Sequence, residues 1–181
     1  CLCLLKSCLI SFANLFDCWF VQFKLDENAN LFQDLGELGV PRAFEYIVAR
    51  GHPRILATHR TTFEITKDEH LTERGDCIVA VKSTKGAKDL SAEFQRLARN
   101  DSARITVILN VDGRREISTG RGTRQLSFTH PSDLVVRKSG FVCGRTLMTH
   151  SNKSASDFSR SFVERLRDPN KRIEIKLIVE V

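Results

Sequence analysis

The chain repeats itself, and a repeat limits which residues can be neighbours more tightly than any short motif does. A shift of 71 residues superposes Glu45 on Glu116, Arg50-Gly51 on Arg121-Gly122, Thr58-His59 on Thr129-His130 and Lys67 on Lys138. Past a shorter connection the shift is 66 at Cys77 and Cys143. It then settles at 68, where Lys85 meets Lys153, Asp89 meets Asp157, Phe94 meets Phe162, and Ile105, Val107, Leu109 and Val111 meet Ile173, Ile175, Leu177 and Val179. The order is unbroken and the gaps fall in turns, which predicts two tandem copies of a strand-strand-strand-helix-strand unit, about 44–113 and 115–181.

Each copy supports that reading by its own periodicity. Phe44 to Arg50 and Arg115 to Gly120 are short strand-like runs that end at a glycine. Ile55 to Thr66 alternates apolar and polar residues, as does Leu126 to Val136, so each is expected as one half-buried strand, the second bent around Pro131. Asp76 to Val81, and its counterpart Phe141 to Met148, are expected as third strands. Asp89 reads as the N-cap of a helix Leu90 to Arg99 with one apolar stripe, and Phe158, Phe162 and Leu166 repeat that stripe before Pro169 stops the helix. Asp112-Gly113 is a strong hairpin signal and joins the copies. Units this small cannot each bury a core alone. The expectation is therefore one mainly β (α+β) domain over 41–181, a sandwich or barrel-like β fold with two short amphipathic helices outside.

A composition of 41% hydrophobic and 28% charged residues is ordinary for a globular chain and forces neither disorder nor a coiled coil nor collagen. Four of the six cysteines crowd into Cys1, Cys3, Cys8 and Cys18, leaving Cys77 and Cys143 alone in the body. Such sparse usage fits a reducing, cytoplasmic setting. Residues 1–40 lack a clean period and are expected to be a weakly specified N-terminal extension, upstream sequence translated past a start near Val40, the alternative being a membrane-proximal or amphipathic N-terminal tail. Lys6, Ser7, Asn14 and Asp17 interrupt its apolar run, which argues against a signal peptide or a membrane span. That stretch holds two basic and five acidic side chains, so the remainder carries 26 basic against 17 acidic ones. The excess favours an anionic partner, RNA or a small molecule.

Two clusters carry the candidate chemistry. His52, His59, Thr61, Thr62 and Glu64 from the first copy, with His130, Asp133, Arg137 and Arg145 from the second, could line a polar cleft for an anionic ligand, the arginines offering forked donors. The competing reading is a solvated face with capping hydroxyls. His59 and His130 stand at equivalent positions, with Cys77, Cys143, Asp133 and Glu64 near enough in sequence pattern to suggest metal ligands. No His-x-x-His or Cys-x-x-Cys spacing supports that, each His falls on the apolar face of its strand, and neither metal nor cofactor is expected. Arg114, Arg115, Arg121 and Arg124 form a basic hairpin, and Arg160, Arg165, Arg167, Lys171 and Arg172 a basic helix end. Aromatic interleaving is poor, since most Phe positions are claimed by the core, so any nucleic-acid contact is expected at the backbone. No Walker loop, dinucleotide fingerprint or Ser elbow is present; Gly120 to Arg124 reads as a turn.

The segments EYIVARGHPRILATHRTTFEITKDEHLTERGDCIVAV and THPSDLVVRKSGFVCGRT resemble the archaeal domain of unknown function family 371, over about residues 45–171. The resemblance implies an archaeal source and a mainly β, sandwich-like fold, and it implies no activity. From the residues, the leading expectation is a ligand- or RNA-binding protein with a polar cleft between the copies. The alternative is an enzyme acting on a small phosphorylated substrate, with His59 or His130 as acid or base.

Overall fold

Strands form here where apolar and polar residues alternate and no side chain captures the backbone first. The computed structural model describes residues 39–71 and 75–181. The expectation for the N-terminal extension lies outside them. Residues Val40–Val181 form a unit of their own.

Four strands make the first sheet: β1 (Arg42–Arg50), β4 (Arg104–Val111), β5 (Arg114–Arg121) and β8 (Arg172–Glu180), in the order β1-β8-β4-β5 and antiparallel throughout. Their alternation is clean, with Ile105, Val107, Leu109, Ile173, Ile175, Leu177 and Val179 all turned into the core. Asp112-Gly113 turns the β4–β5 hairpin, both residues in the left-handed region.

The second sheet holds β2 (Thr62–Thr66), β3 (Ile78–Ala80), β6 (Asp133–Arg137) and β7 (Thr146–Met148), in the order β3-β2-β6-β7. Its central pair, β2 with β6, is antiparallel, and the outer pairs are parallel. One core takes side chains from both sheets and from two short helices, α1 (Ala92–Ala98) and α2 (Arg160–Leu166). The mainly β expectation holds in its sandwich-like form, since both sheets are open and no barrel closes.

Three expected elements differ for local reasons. The strands expected over Ile55–Thr66 and Leu126–Val136 exist only from Thr62 and Asp133 onward. Ala57 and Phe128 take left-handed φ of +47° and +52°. Thr58 and His59 then both donate backbone N–H to the Asp76 carbonyl, as Thr129 and His130 do to that of Gly144. Those bonds replace a ladder, and the apolar alternation is used by an irregular segment. Neither His lies on the apolar face of a strand: both stand half-exposed in these turns. At the helices, Ser91 rather than Asp89 is the N-cap, its hydroxyl accepting from Phe94 N–H at 3.2 Å. Asp89 instead closes the preceding 3-10 turn, accepting from Gly86 N–H at 2.9 Å and from Lys67 at 3.0 Å.

Alike contacts recur along the chain. Glu45, inward-facing on β1, accepts from the Lys85 ammonium and from Ser91 N–H at the start of α1. Glu116, inward-facing on β5, accepts from Lys153 at 2.6 Å and from Ser159 N–H at the start of α2. Gly51 and Gly122 each bring a sheet end against a helix C-terminus, where His52 N–H donates to the Leu166 carbonyl and Thr123 N–H to that of Ala98.

Candidate functional site

Every residue of β2 is buried, and alternation divides the strand cleanly. Phe63 and Ile65 enter the core, so Thr62, Glu64 and Thr66 face the other way. On β6 the same division turns Asp133, Val135 and Arg137 to that outer face beside them. Glu64 stands opposite Val135 at the middle of the seam. The result is a covered polar layer rather than an open cleft, with Glu64 and Asp133 each 8% exposed.

Arg145, just before β7, ties the seam together. Its guanidinium donates to Asp133 Oδ2 at 3.3 Å and to Glu64 Oε2 at 3.4 Å. Asp133 also accepts from the hydroxyls of Thr66 at 2.8 Å and Ser132 at 3.0 Å, and the Cys77 thiol points at Glu64 Oε2 from 3.6 Å. Burial, and then the neighbouring charge of Asp133, raise the Glu64 carboxyl above its ordinary range, with Arg145 opposing them. Burial and the adjacent Glu64 push the Cys77 thiol up to about 12.

The two body cysteines are not counterparts. Ile78 pairs with Glu64 as Thr146 pairs with Val135, and Glu64 N–H bonds the Cys77 carbonyl as Val135 N–H bonds that of Arg145. In strand-pair geometry Cys77 thus stands beside β2 as Arg145 stands beside β6, and Cys143 does not take that place. Cys143 has surroundings of a different kind. Desolvation is the largest influence on its thiol and opposes ionisation, but the Arg145 N–H, the Thr146 hydroxyl and the Arg137 guanidinium together hold it at about 7. Arg137 donates to Cys143 Sγ at 3.3 Å and to Thr146 Oγ1 at 3.1 Å, and lies 5.0 Å from the ring centroid of exposed Phe141. In the full chain at pH 7.5, iodoacetamide should alkylate Cys143 at least roughly tenfold faster than Cys77, read by peptide mass spectrometry. Equal rates would contradict this electrostatic difference.

The histidines flank the layer in matched turns. His59 Nδ1 accepts from Thr62 N–H at 3.1 Å and the Thr62 hydroxyl at 2.8 Å, with Thr61 N–H at 3.3 Å. His130 Nδ1 accepts from Asp133 N–H at 3.0 Å. A backbone N–H can only donate, so both Nδ1 atoms are acceptors and the exchangeable ring proton sits on Nε2. For the same reason the 3.6 Å approach of His130 Nδ1 to Asp133 Oδ2 is not an ion pair.

Of the sequence candidates, His59, Thr61, Thr62, Glu64, His130, Asp133, Arg137 and Arg145 thus gather at or beside this seam. His52 does not. Its Nδ1 accepts from Arg54 N–H, and it lines a separate pocket of about 430 Å³ with Arg50, His70 and Lys82. Sequence reasoning missed Thr66, although its period-two spacing from Thr62 and Glu64 was a usable signal. Among the described residues no three His, Cys, Asp or Glu side chains converge on a metal position.

The basic candidates separate. Arg114 and Arg115 begin β5 and Arg121 ends it, roughly 20 Å away at the rise of an extended strand. Arg124 is paired with Asp101 at 2.9 Å. The helix-end cations are largely spent on the fold: Arg160 donates to four carbonyls, Arg167 to that of Pro53, and Arg165 and Lys171 pair with Asp112. No helix among the described residues is long and apolar enough to cross a membrane.

Residues 47–180 match the family described as Domain of unknown function (DUF371). An uncharacterised protein of Methanocaldococcus jannaschii is 42% identical over 136 residues, covering 75% of this chain and 99% of that protein.

Proposed function

This chain belongs to the family described as Domain of unknown function (DUF371), and from that premise we propose that it binds a small anionic ligand on the outer face of the second sheet. The observation that carries the reading is the pair of guanidiniums, Arg137 and Arg145, fixed by neighbours yet not exhausted by them. Each has five N–H donors, and the bonds described above use only some. A phosphate or carboxylate is the group that fits a rigid fork of this kind. The raised Glu64 carboxyl works in the same direction, because burial and the charge of Asp133 disfavour its ionised form beside Arg145. The scaffold is read as two tandem copies of one unit, with the ligand on their shared seam; the matched glutamate, histidine and glycine contacts support this.

The test is isothermal titration calorimetry of the full chain with inorganic phosphate, citrate and a nucleoside monophosphate. Arg137→Lys keeps the charge and loses the fork, and should weaken binding about tenfold, the cost of one charge-assisted hydrogen bond. Binding unchanged in both Arg137→Lys and Arg145→Met would defeat the reading. A second reading, an enzyme acting on a small phosphorylated substrate, is favoured by the free Nε2 of His59 and His130. It requires turnover of a phosphate ester that disappears in His130→Ala or His59→Ala.

A further inference from the structure

The first sheet has an outer face of unusual chemistry. A solvated antiparallel face is ordinarily polar, yet here β1 turns Phe44 (39% exposed) and Tyr46 (66%) outward, and β5 adds Ile117 (46%). Cations lie among the rings: Lys176 Nζ is 4.8 Å from the Phe44 centroid and 5.3 Å from that of Tyr46, and the Arg42 guanidinium is 5.8 Å from Phe44. Tyr46 stands directly across from Lys176 in the β1–β8 register, so ring and charge share one row.

The opposite corner of the same face carries an independent signal. Arg104 and Arg121 are directly paired across β4 and β5, a placement that like charges oppose. Neither side chain makes a hydrogen bond or ion pair among the described residues. Of the nearby carboxylates, Asp101 is already held by Arg124, and Glu180, opposite Arg104 across β4 and β8, makes no ion pair with either arginine among the described residues. With His150 and Asn152 the two arginines line a pocket of about 470 Å³. Two facing guanidiniums that no ion pair occupies among the described residues make a place for an anion.

We propose that this face binds single-stranded nucleic acid, bases stacking on Phe44 and Tyr46 and a backbone phosphate seated between Arg104 and Arg121. The rings stand on edge strand β1 and the arginines on β4 and β5, two to three strand spacings or roughly 10–14 Å across the sheet, which a few extended nucleotides span. An acidic peptide would satisfy the arginines but leave the rings unused. Duplex would present phosphates without free base faces. The proposal is independent of the ligand seam, which lies on the other sheet and uses other residues.

The experiment is fluorescence anisotropy of the full chain with a labelled twelve-nucleotide oligouridylate, its DNA counterpart, a duplex of equal length, and vesicles containing phosphatidylserine. Single strands should bind at least tenfold more tightly than duplex, and the RNA and DNA arms identify the sugar preferred. Phe44→Ala and Tyr46→Ala should each weaken single-strand binding by roughly tenfold, as loss of a stacking ring does. Arg104→Ser with Arg121→Ser should flatten the slope of log affinity against log salt by about 0.7, one phosphate contact's worth. All four positions are on the surface, so an unchanged melting temperature certifies each variant. Equal binding to duplex with no effect of the ring substitutions would overturn the proposal, as would absence of binding at low salt. Ring-dependent binding to vesicles in place of oligonucleotides would overturn it in favour of a membrane surface.

Discussion

Gly122→Ala is expected to lower the unfolding free energy by about 3 kcal/mol, at the upper end of overpacking costs, and Gly51→Ala by a similar amount. The cause is backbone against backbone. A Cβ on Gly122 would stand 2.2 Å from the Ala98 carbonyl oxygen and 2.9 Å from that of Asn100. One on Gly51 would meet the Asp168 oxygen at 2.2 Å and the Leu166 oxygen at 2.5 Å. Those carbonyls belong to the C-terminal turns of α1 and α2, which are also hydrogen-bonded to His52 and Thr123, so they cannot withdraw without losing those bonds. Urea denaturation of the full chain checks the size of the loss. Gly140→Ala is the control, because its Cβ would touch only the His150 side chain, at 3.2 Å, and that ring can move. If all three substitutions cost the same, the close approach is not what these glycines provide.

Glu45→Ala should cost about 2 kcal/mol at neutral pH, with Glu116→Ala close behind, because each removes a buried acid that pairs with a half-buried lysine and caps a backbone N–H. Lys85 would be left without its carboxylate and Ser91 N–H without an acceptor at the start of α1. Replacing both members, Glu45→Leu with Lys85→Met, should recover the part of the loss that comes from the unpaired lysine but not the part from Ser91 N–H, which still lacks its acceptor. The pH dependence has a definite sign. Desolvation raises the Glu45 carboxyl, but the Lys85 ammonium and the Ser91 hydroxyl and N–H outweigh it, so its folded pKa lies below 4.5. The contribution is therefore complete above the unfolded value and lost as pH falls through the folded one. The gap between wild type and Glu45→Ala, read by denaturation at pH 7 and again near pH 3, should narrow in acid. A gap that holds constant would show packing, not charge, to be the cause.

Parts of this architecture were legible because they depend on neighbours in the chain. The β4 and β8 strands follow from uninterrupted alternation, the β4–β5 turn from Asp112-Gly113, and the helices from apolar stripes placed within two residues of their observed starts. Eight of the nine ligand-binding candidates fell near one seam because polar residues clustered on and beside two short strands. His52 failed for an instructive reason: proximity in sequence to His59 says nothing once the chain turns at Ala57. The exposed Phe44 and Tyr46 were discounted by composition, since a count of aromatics does not say which face of β1 they take.

What the sequence by itself determined was the set of segments with one strong local preference, and the family to which the chain belongs. What only the tertiary structure decided was everything resting on partners far along the chain. Ile55 to Thr61 alternates like a strand but bonds instead to Asp76, and it is Arg145, not Cys143, that holds beside β6 the place Cys77 holds beside β2. Glu45 is an inward-facing acid that burial would forbid alone and that Lys85, 40 residues on, makes stable. Periodicity records whether a position faces inward, whereas the free energy of a buried polar group depends on the partner that meets it there.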